Sequence, residues 1–453
     1  MHATNPVATG MLADRLAAWV CDLRYEDLPD DVVRKAKAHI LFLVGAACVG
    51  GTSVIGTRGR AIARGLGGTQ GRSTIIGEGS PATAVDAAFA NAALIMGGDA
   101  DDYLLPAGGH PGVVTIPAAL ALAEQEGRGG ADLITAVVAG YELLGKLASL
   151  QWAWDGRVPR RATIPFGAFG PAAAASRLLE LSPLQTAHAI RFAANMAMGL
   201  SENPFGGLYY GYVARNGITA AISAQAGGEM PLTTLEGEHG FFMSFFDRVP
   251  EDADEIPSRL GTDWEMTQAE LKTYQTTGMN YAAIELMLEL IREHGLTPDN
   301  VERIVVDFSS QRANHAAGHA PAPFKSRWAA VSSGPFQLAI ALLDGDIDPA
   351  RLETYDDPAI ADIVKRIEVR LVEAAMQGYA ALHITTTDGR LLEAEREKYR
   401  ADPKERAAWL RRHVARRSFP LDRFARIEET IEKLETLPRI SELTALLRPE
   451  KPR

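Results

Sequence analysis

GGDADDYLLPAGGHPG, residues Gly97 to Gly112, places three aspartates within four positions and ends on His-Pro-Gly. Apolar, alanine-rich segments flank it: TAVDAAFANAALIMGG before, and GVVTIPAALALAEQEG after. Their three- and four-residue apolar spacing and terminal glycines predict two helices, so the quoted stretch is the connection between them. Asp99, Asp101 and Asp102 then fall just past a helix C-terminus, where the partial negative charge disfavours carboxylates. A loop of solvated acids in an Asx-type turn is the bland alternative. His110 shifts the balance towards function. It precedes Pro111, which biases it to extended backbone, and a histidine fixed beside carboxylates can be held in one tautomer for acid/base work. Neighbouring acids also push each other's pKa apart, so one can stay protonated.

Working outward, the same texture runs to about residue 265. GMLADRLAAWVCDL, DDVVRKAKAHILFLVGAACVG and GADLITAVVAGYELLGKLASL are helical by spacing, and alanine allows close helix packing. SPLQTAHAIRFAANMAMG starts with a capping box, Ser182 at N-cap and Gln185 at N3, with Pro183 in the first turn. GLGGTQG, residues Gly65 to Gly71, precedes a strand-like RSTIIG rather than a helix, so it reads as a turn and not a dinucleotide fingerprint. After FFDRVPEDADEIPSRLGTDW the pattern changes. VERIVVDFSS and IEVRLVEA alternate at strand period, and YAALHITTTDGRLLEAERE is a hairpin with Asp388-Gly389 at its turn. Helices at NYAAIELMLELIREHG and SSGPFQLAIALLDG make this a small α+β domain. DPKERAAWLRRHVARR returns to helix, and its basic run is a solvated face.

At 453 residues the chain is too long for one ordinary core, which points to two domains. A formal net charge of -11 argues against nucleic-acid and membrane-surface partners, although a local basic pocket could still hold a small anion. The two cysteines, Cys21 and Cys48, sit in apolar runs and read as reduced, buried thiols. No secretory pattern opens the sequence and its most apolar run is shorter than a membrane span, so a cytoplasmic location is expected. P-loop, G-x-S-x-G and H-E-x-x-H motifs are absent. His315 and His319 are four apart, but the Ala, Gly and Pro around them oppose the helix that a metal pair would need, so no metal is expected. His188, on the capping-box helix, reads as a core histidine. Arg160 and Arg161 precede a Gly-Ala-rich helix, Arg215 lies on a helix with small neighbours, and Lys272 falls at the domain boundary. Arginine grips carboxylates bidentately, so such residues facing a cleft suit a di- or tricarboxylate, while any one of them alone reads first as a surface charge.

The order DADDY, HPG, PAALALAE and AVVAGYEL, then FGAFGPAAAASRLLELS, LEGEHGFF and a lysine before a mixed α+β segment, resembles the MmgE/PrpD family of 2-methylcitrate dehydratases and cis-aconitate decarboxylases. The resemblance spans nearly the whole chain and is most specific from Asp99 to Leu144. It implies a mainly α fold: a large all-helical domain from 1–267 with 400–453, and a smaller α+β lid from 268–399. It also implies a homodimer, no metal or other cofactor, and a polar pocket between the domains. Carried over residue by residue, that pocket includes Asp99, His110 and Lys272. The family's second histidine falls on Arg161, its first lysine falls at Gly206 or a neighbour, and TYQTTGMNY after Lys272 lacks a further histidine. Arginine at 161 is a fixed cation that holds a carboxylate but does not exchange protons.

The expected function is therefore a cofactor-independent lyase, removing water or carbon dioxide next to a carboxylate of a small acidic metabolite. His110 is the base or acid and Asp99 orients it or shares the proton. Arg161, Arg160 and Lys272 bind carboxylates; Tyr103, Tyr209, Tyr210 and Phe205 shape the pocket. Asp101 and Asp102 hold the loop through backbone amides. An isomerase or epimerase that removes and returns a proton needs fewer groups and is the alternative; a non-catalytic ligand-binding descendant is the third.

Overall fold

The computed structural model describes residues 10–67, 70–98, 100–104, 107–153, 162–198, 207–310, 321–373, 378–397, 403–416 and 419–449. The chain divides into two compact units, Met1–Leu271 with Leu410–Arg453, and Lys272–Trp409.

The first unit is built on α1 (Leu12–Asp22), α2 (Asp30–Val49), α3 (Val54–Gly67), α4 (Ala84–Gly98), α5 (Pro111–Gln125), α6 (Gly130–Ser149), α7 (Phe169–Leu178), α8 (Pro183–Asn195) and α9 (Leu208–Gln225). Helix α4 is apolar on all sides and buried along its length, which makes it a core helix against α2, α3, α5 and α9. Small residues set the spacing. A Cβ added to Gly59 of α3 would lie 2.3 Å from the Cβ of Ala93 on α4, so only glycine permits that approach. The Ser182–Gln185 capping box opens α8 as its sequence predicts: the Gln185 N–H donates to Ser182 Oγ at 3.3 Å and the Ser182 N–H donates to Gln185 Oε1 at 3.1 Å. Gly65 to Gly67 still belong to α3, so the expected turn is shorter than GLGGTQG; Gly71 supplies its left-handed bend at φ +125°.

The unit is not purely helical. Strand β1 (Ser73–Thr74) pairs with β2 (Pro81–Ala82), and β3 (Asp102–Tyr103) with β4 (Glu270–Leu271), both antiparallel. Short helices α10 (Phe241–Phe246), α11 (Ile256–Arg259) and α12 (Glu265–Gln268) lead into β4. Because α12 lies against α6 and β4 is bonded to β3, the first unit runs to Leu271 rather than stopping at 267.

In the second unit, α13 (Tyr281–His294) precedes β5 (Val301–Ser309), followed by α14 (Arg327–Ser332), α15 (Gly334–Asp344) and α16 (Pro358–Val364). Strands β6 (Ile367–Val372), β7 (Ala380–Thr386) and β8 (Leu391–Arg396) complete one sheet in the order β6-β5-β7-β8. Only β5 and β6 run parallel, and the crossover between them carries α14 to α16, as a parallel pair requires. Ile304, Val306 and Phe308 bury one face of β5, and Gly389 turns the β7–β8 hairpin at φ +84°.

Helix α17 (Pro403–Arg416) spans the second boundary, and α18 (Leu421–Glu432) and α19 (Ser441–Ala445) return to the first unit. Their tie is Glu124, at the end of α5. Its carboxylate accepts from Thr74 N at 2.6 Å, Thr74 Oγ1 at 2.8 Å, Thr444 Oγ1 at 2.5 Å and Arg448 Nη2 at 2.8 Å. A buried carboxylate needs such saturation.

Candidate active site

The α4–α5 connection carries the site. Asp101 and Asp102 are wholly buried, and they do not stay at the α4 C-terminus where a carboxylate is disfavoured. Asp102 instead turns its carboxylate to the start of α5. The Gly112 N–H, one of the unbonded donors of that first turn, reaches Oδ1 at 3.1 Å and Oδ2 at 3.0 Å. The expectation that Asp102 holds the loop through a backbone amide describes this contact. Burial is the main cause that pushes the Asp102 pKa from 3.8 up to about 6, and the adjacent Asp101 adds to it; Tyr141, His110 and the Gly112 N–H pull it back.

His110 stands immediately before α5, with Pro111 in the first helical position, at φ -122° and ψ 78°. Its N–H donates to Thr163 Oγ1 at 2.8 Å. The ring Nδ1 lies 2.6 Å from the Asp102 carbonyl oxygen and 2.9 Å from Asp101 Oδ2. A carbonyl only accepts, so Nδ1 carries the hydrogen and Nε2 is the nitrogen with the lone pair in the neutral ring. Asp101, expected to hold the loop, also places its carboxylate against His110; Asp99 lies outside the described residues. The ring is about one-fifth exposed and meets Tyr210 edge to face at 6.0 Å between centroids. Tyr210 and Tyr209, both buried at the start of α9, stack at 4.0 Å. His110, Tyr209 and Tyr210 are therefore neighbours, while Tyr103 is half-buried on β3, paired with Glu270.

Behind the loop lie two residues that the sequence did not single out. The Tyr141 hydroxyl on α6 donates to Asp102 Oδ2 at 2.8 Å, and His39 Nδ1 on α2 lies 3.1 Å from the same hydroxyl. Both rings are fully buried, and burial followed by the Asp102 charge holds the Tyr141 phenol well above its ordinary pKa, so it stays neutral. Glu142, the next residue of α6, and Lys146, about one turn on, are also buried. Lys146 Nζ pairs with Glu265 Oε1 at 2.8 Å and donates to the Asp263 carbonyl, while Glu142 Oε1 accepts the N–H of Glu265 at 2.5 Å. Two acids share one lysine there. Desolvation lifts the Glu142 pKa to about 8, against the opposing pull of Lys146 and with added repulsion from Glu265.

Lys272 directly follows Leu271, the β4 residue paired with Asp102. It is half-buried and opens the second unit. Arg160, Arg161, Phe205, Gly206, His315 and His319 lie outside the described residues. His188 is a core residue whose Nδ1 accepts the Met230 N–H at 3.0 Å. Among the described residues, no three His, Cys, Asp or Glu side chains converge as a metal site, and no single helix is long and apolar enough to cross a membrane.

Family models give the class of protein. The MmgE/PrpD N-terminal domain matches residues 14–252 and the MmgE/PrpD C-terminal domain matches residues 274–411; the chain belongs to the MmgE/PrpD family. Among curated relatives, a cis-aconitate decarboxylase-like protein of Aspergillus oryzae is 28% identical over 99% of both chains. The cis-aconitate decarboxylase of Aspergillus terreus is 26% identical over 81% of this chain and 79% of its own. The human cis-aconitate decarboxylase is 26% identical over 97% of this chain and 95% of its own.

Proposed function

We propose that this chain is a lyase that removes carbon dioxide, or water, next to a carboxylate of a small polycarboxylate, with His110 moving the proton. The observation that carries this reading is the double anchoring of His110 Nδ1 at 2.6 Å and 2.9 Å, which leaves Nε2 to face chemistry. The buried Asp101 carboxylate stabilises the imidazolium when Nε2 is protonated, the role an orienting aspartate plays behind a catalytic histidine. The names of the relatives favour decarboxylation.

In that reaction the carbon–carbon bond to the departing carboxylate breaks and carbon dioxide leaves. The electron pair stays on the substrate, spread into the adjoining unsaturated or carboxylate group. His110 Nε2–H then gives its proton to carbon and the neutral ring recovers one from water. In a dehydration the neutral ring takes the proton from carbon first, and the imidazolium so formed returns it to the departing hydroxyl, which leaves as water. Arg160, Arg161 and Lys272 are assigned to the substrate carboxylates as fixed cations, and Tyr103, Tyr209 and Tyr210 to the pocket walls.

The test is incubation of the purified protein with cis-aconitate and related di- and tricarboxylates, following carbon dioxide and product mass, alongside thermal-shift measurements. His110→Gln is expected to lower turnover about 10²- to 10⁴-fold. Undiminished turnover in that variant, or neither product nor thermal stabilisation with any polycarboxylate, overturns the reading. Exchange of substrate hydrogen in deuterated water without a smaller product identifies an epimerase instead.

A further inference from the structure

We infer that Tyr141 and His39 are positioning residues for His110, acting through Asp102. The inference rests on the reading of His110 as the proton-transfer group. Hydroxyl chemistry fixes the direction of the chain. Tyr141 has one hydrogen, and it goes to the Asp102 carboxylate at 2.8 Å, so the contact at 3.1 Å requires His39 Nδ1–H to donate to the Tyr141 oxygen. Gly112 N–H donates to the same carboxylate. Every hydrogen bond in the row therefore points at Asp102, an arrangement in which each donor polarises the next.

The same residue faces His110 with its main chain. The Asp102 carbonyl accepts His110 Nδ1–H at 2.6 Å, so the side chain and the carbonyl of one residue are both held, by Tyr141 and by His110. Rotating the carboxylate out of its grip turns the peptide that holds the His110 tautomer. The charged or titratable groups around Asp102 include Asp101 and His110 on its own loop, Tyr141 from α6 and His39 from α2, whose Nδ1 lies 3.9 Å from Asp102 Oδ2; β4, paired with Asp102 at Leu271, carries Glu270 and runs into Lys272. Three elements, α2, α5 and α6, thus converge on one carboxylate. Tyr141 and His39 touch neither His110 nor a substrate site in any contact described above, which separates them from catalytic residues.

The test uses the full chain with nitrogen-15-labelled histidine, and His110→Gln to identify the His110 signals. In the wild type near about pH 8, the His110 nitrogen shifts are expected to show hydrogen on Nδ1 alone. Tyr141→Phe, which removes only the oxygen, is expected to give a mixture of both tautomers with the fold retained by circular dichroism. His39→Gln is expected to act in the same direction more weakly. With a turned-over polycarboxylate, Tyr141→Phe lowers kcat on the order of ten- to a hundred-fold at nearly constant KM and moves the acid limb of the kcat profile upward, because a donor to Asp102 is lost. Unchanged tautomer signals together with an unchanged kcat profile in both variants overturn the positioning role even if His110→Gln is inactive. Full turnover in His110→Gln overturns the functional reading instead, and the tautomer shifts then decide the structural claim alone.

Discussion

The Gly112 N–H donates to both carboxylate oxygens of Asp102, at 3.1 and 3.0 Å, and the glycine's missing side chain is what lets Tyr141 reach the same carboxylate. A Cβ at position 112 would lie 2.2 Å from Tyr141 Oη, 2.6 Å from Leu43 Cδ1 and 2.8 Å from Asp102 Oδ1. Gly112→Ala is therefore expected to destabilise the protein by roughly 1–3 kcal/mol, a cost typical of overpacking, and to remove activity beyond what the stability loss explains. Urea unfolding and turnover at low temperature check the two parts; an alanine variant with wild-type midpoint denies the close approach.

Asp102→Asn separates stability from function. The folded protein holds the Asp102 proton more tightly than the unfolded chain, about 6 against 3.8, so the carboxyl costs nothing below the lower value and progressively more as pH rises to the upper one. At about 1.4 kcal/mol per pKa unit the ionised side chain costs up to about 3 kcal/mol at neutral pH. Asparagine still accepts the Gly112 N–H. The variant is expected to gain stability relative to wild type between about pH 4 and pH 6.5, and to lose activity. A stability difference that does not change across that window rejects the assignment.

Glu142→Gln should show the same sign in a more alkaline window. The Glu142 carboxyl is raised from 4.5 to about 8, so wild-type stability declines as pH climbs through that interval, while glutamine keeps an acceptor for the Glu265 N–H. Thermal melts near about pH 9 are expected to favour the glutamine variant, with little difference near about pH 5. A glutamine variant that melts earlier at the alkaline end refutes it.

Asp101→Asn keeps the shape of the loop but removes the charge 2.9 Å from His110 Nδ1. Turnover is expected to fall on the order of a hundred-fold or more, since the imidazolium loses its counter-charge, while substrate KM changes little. Equal kcat in the two proteins would show that Asp101 is only structural.

What the sequence made legible was local. The Ser182–Gln185 box, the Asp388-Gly389 hairpin turn and the apolar run of α4 each depend on residues within a few positions of one another. The acidic stretch and His110 were visible because they share one connection. His39 and Tyr141 were not, being 102 positions apart and ordinary members of helical patterns until α2 meets α6. The place of Asp101 beside the imidazole was not legible either: the aspartates of Asp99-Ala100-Asp101-Asp102 look alike in sequence, and the entry of the chain into α5 is what brings Asp101 to within 2.9 Å of His110 Nδ1. The late domain boundary was hidden likewise, because β4 is two residues long and gains its meaning from pairing with β3.

The four-fold grip on Glu124 has a bearing on the order of synthesis. Arg448 follows Glu124 by 324 residues, so at typical rates of about 5–20 residues per second the acid waits roughly 16 to 65 s for its guanidinium. Throughout that interval the second unit can complete its sheet while the first, begun earlier, still lacks α18 and α19. A ribosome therefore finishes the helical unit after the one it surrounds in sequence, and its unclosed apolar face is the surface a chaperone would meet.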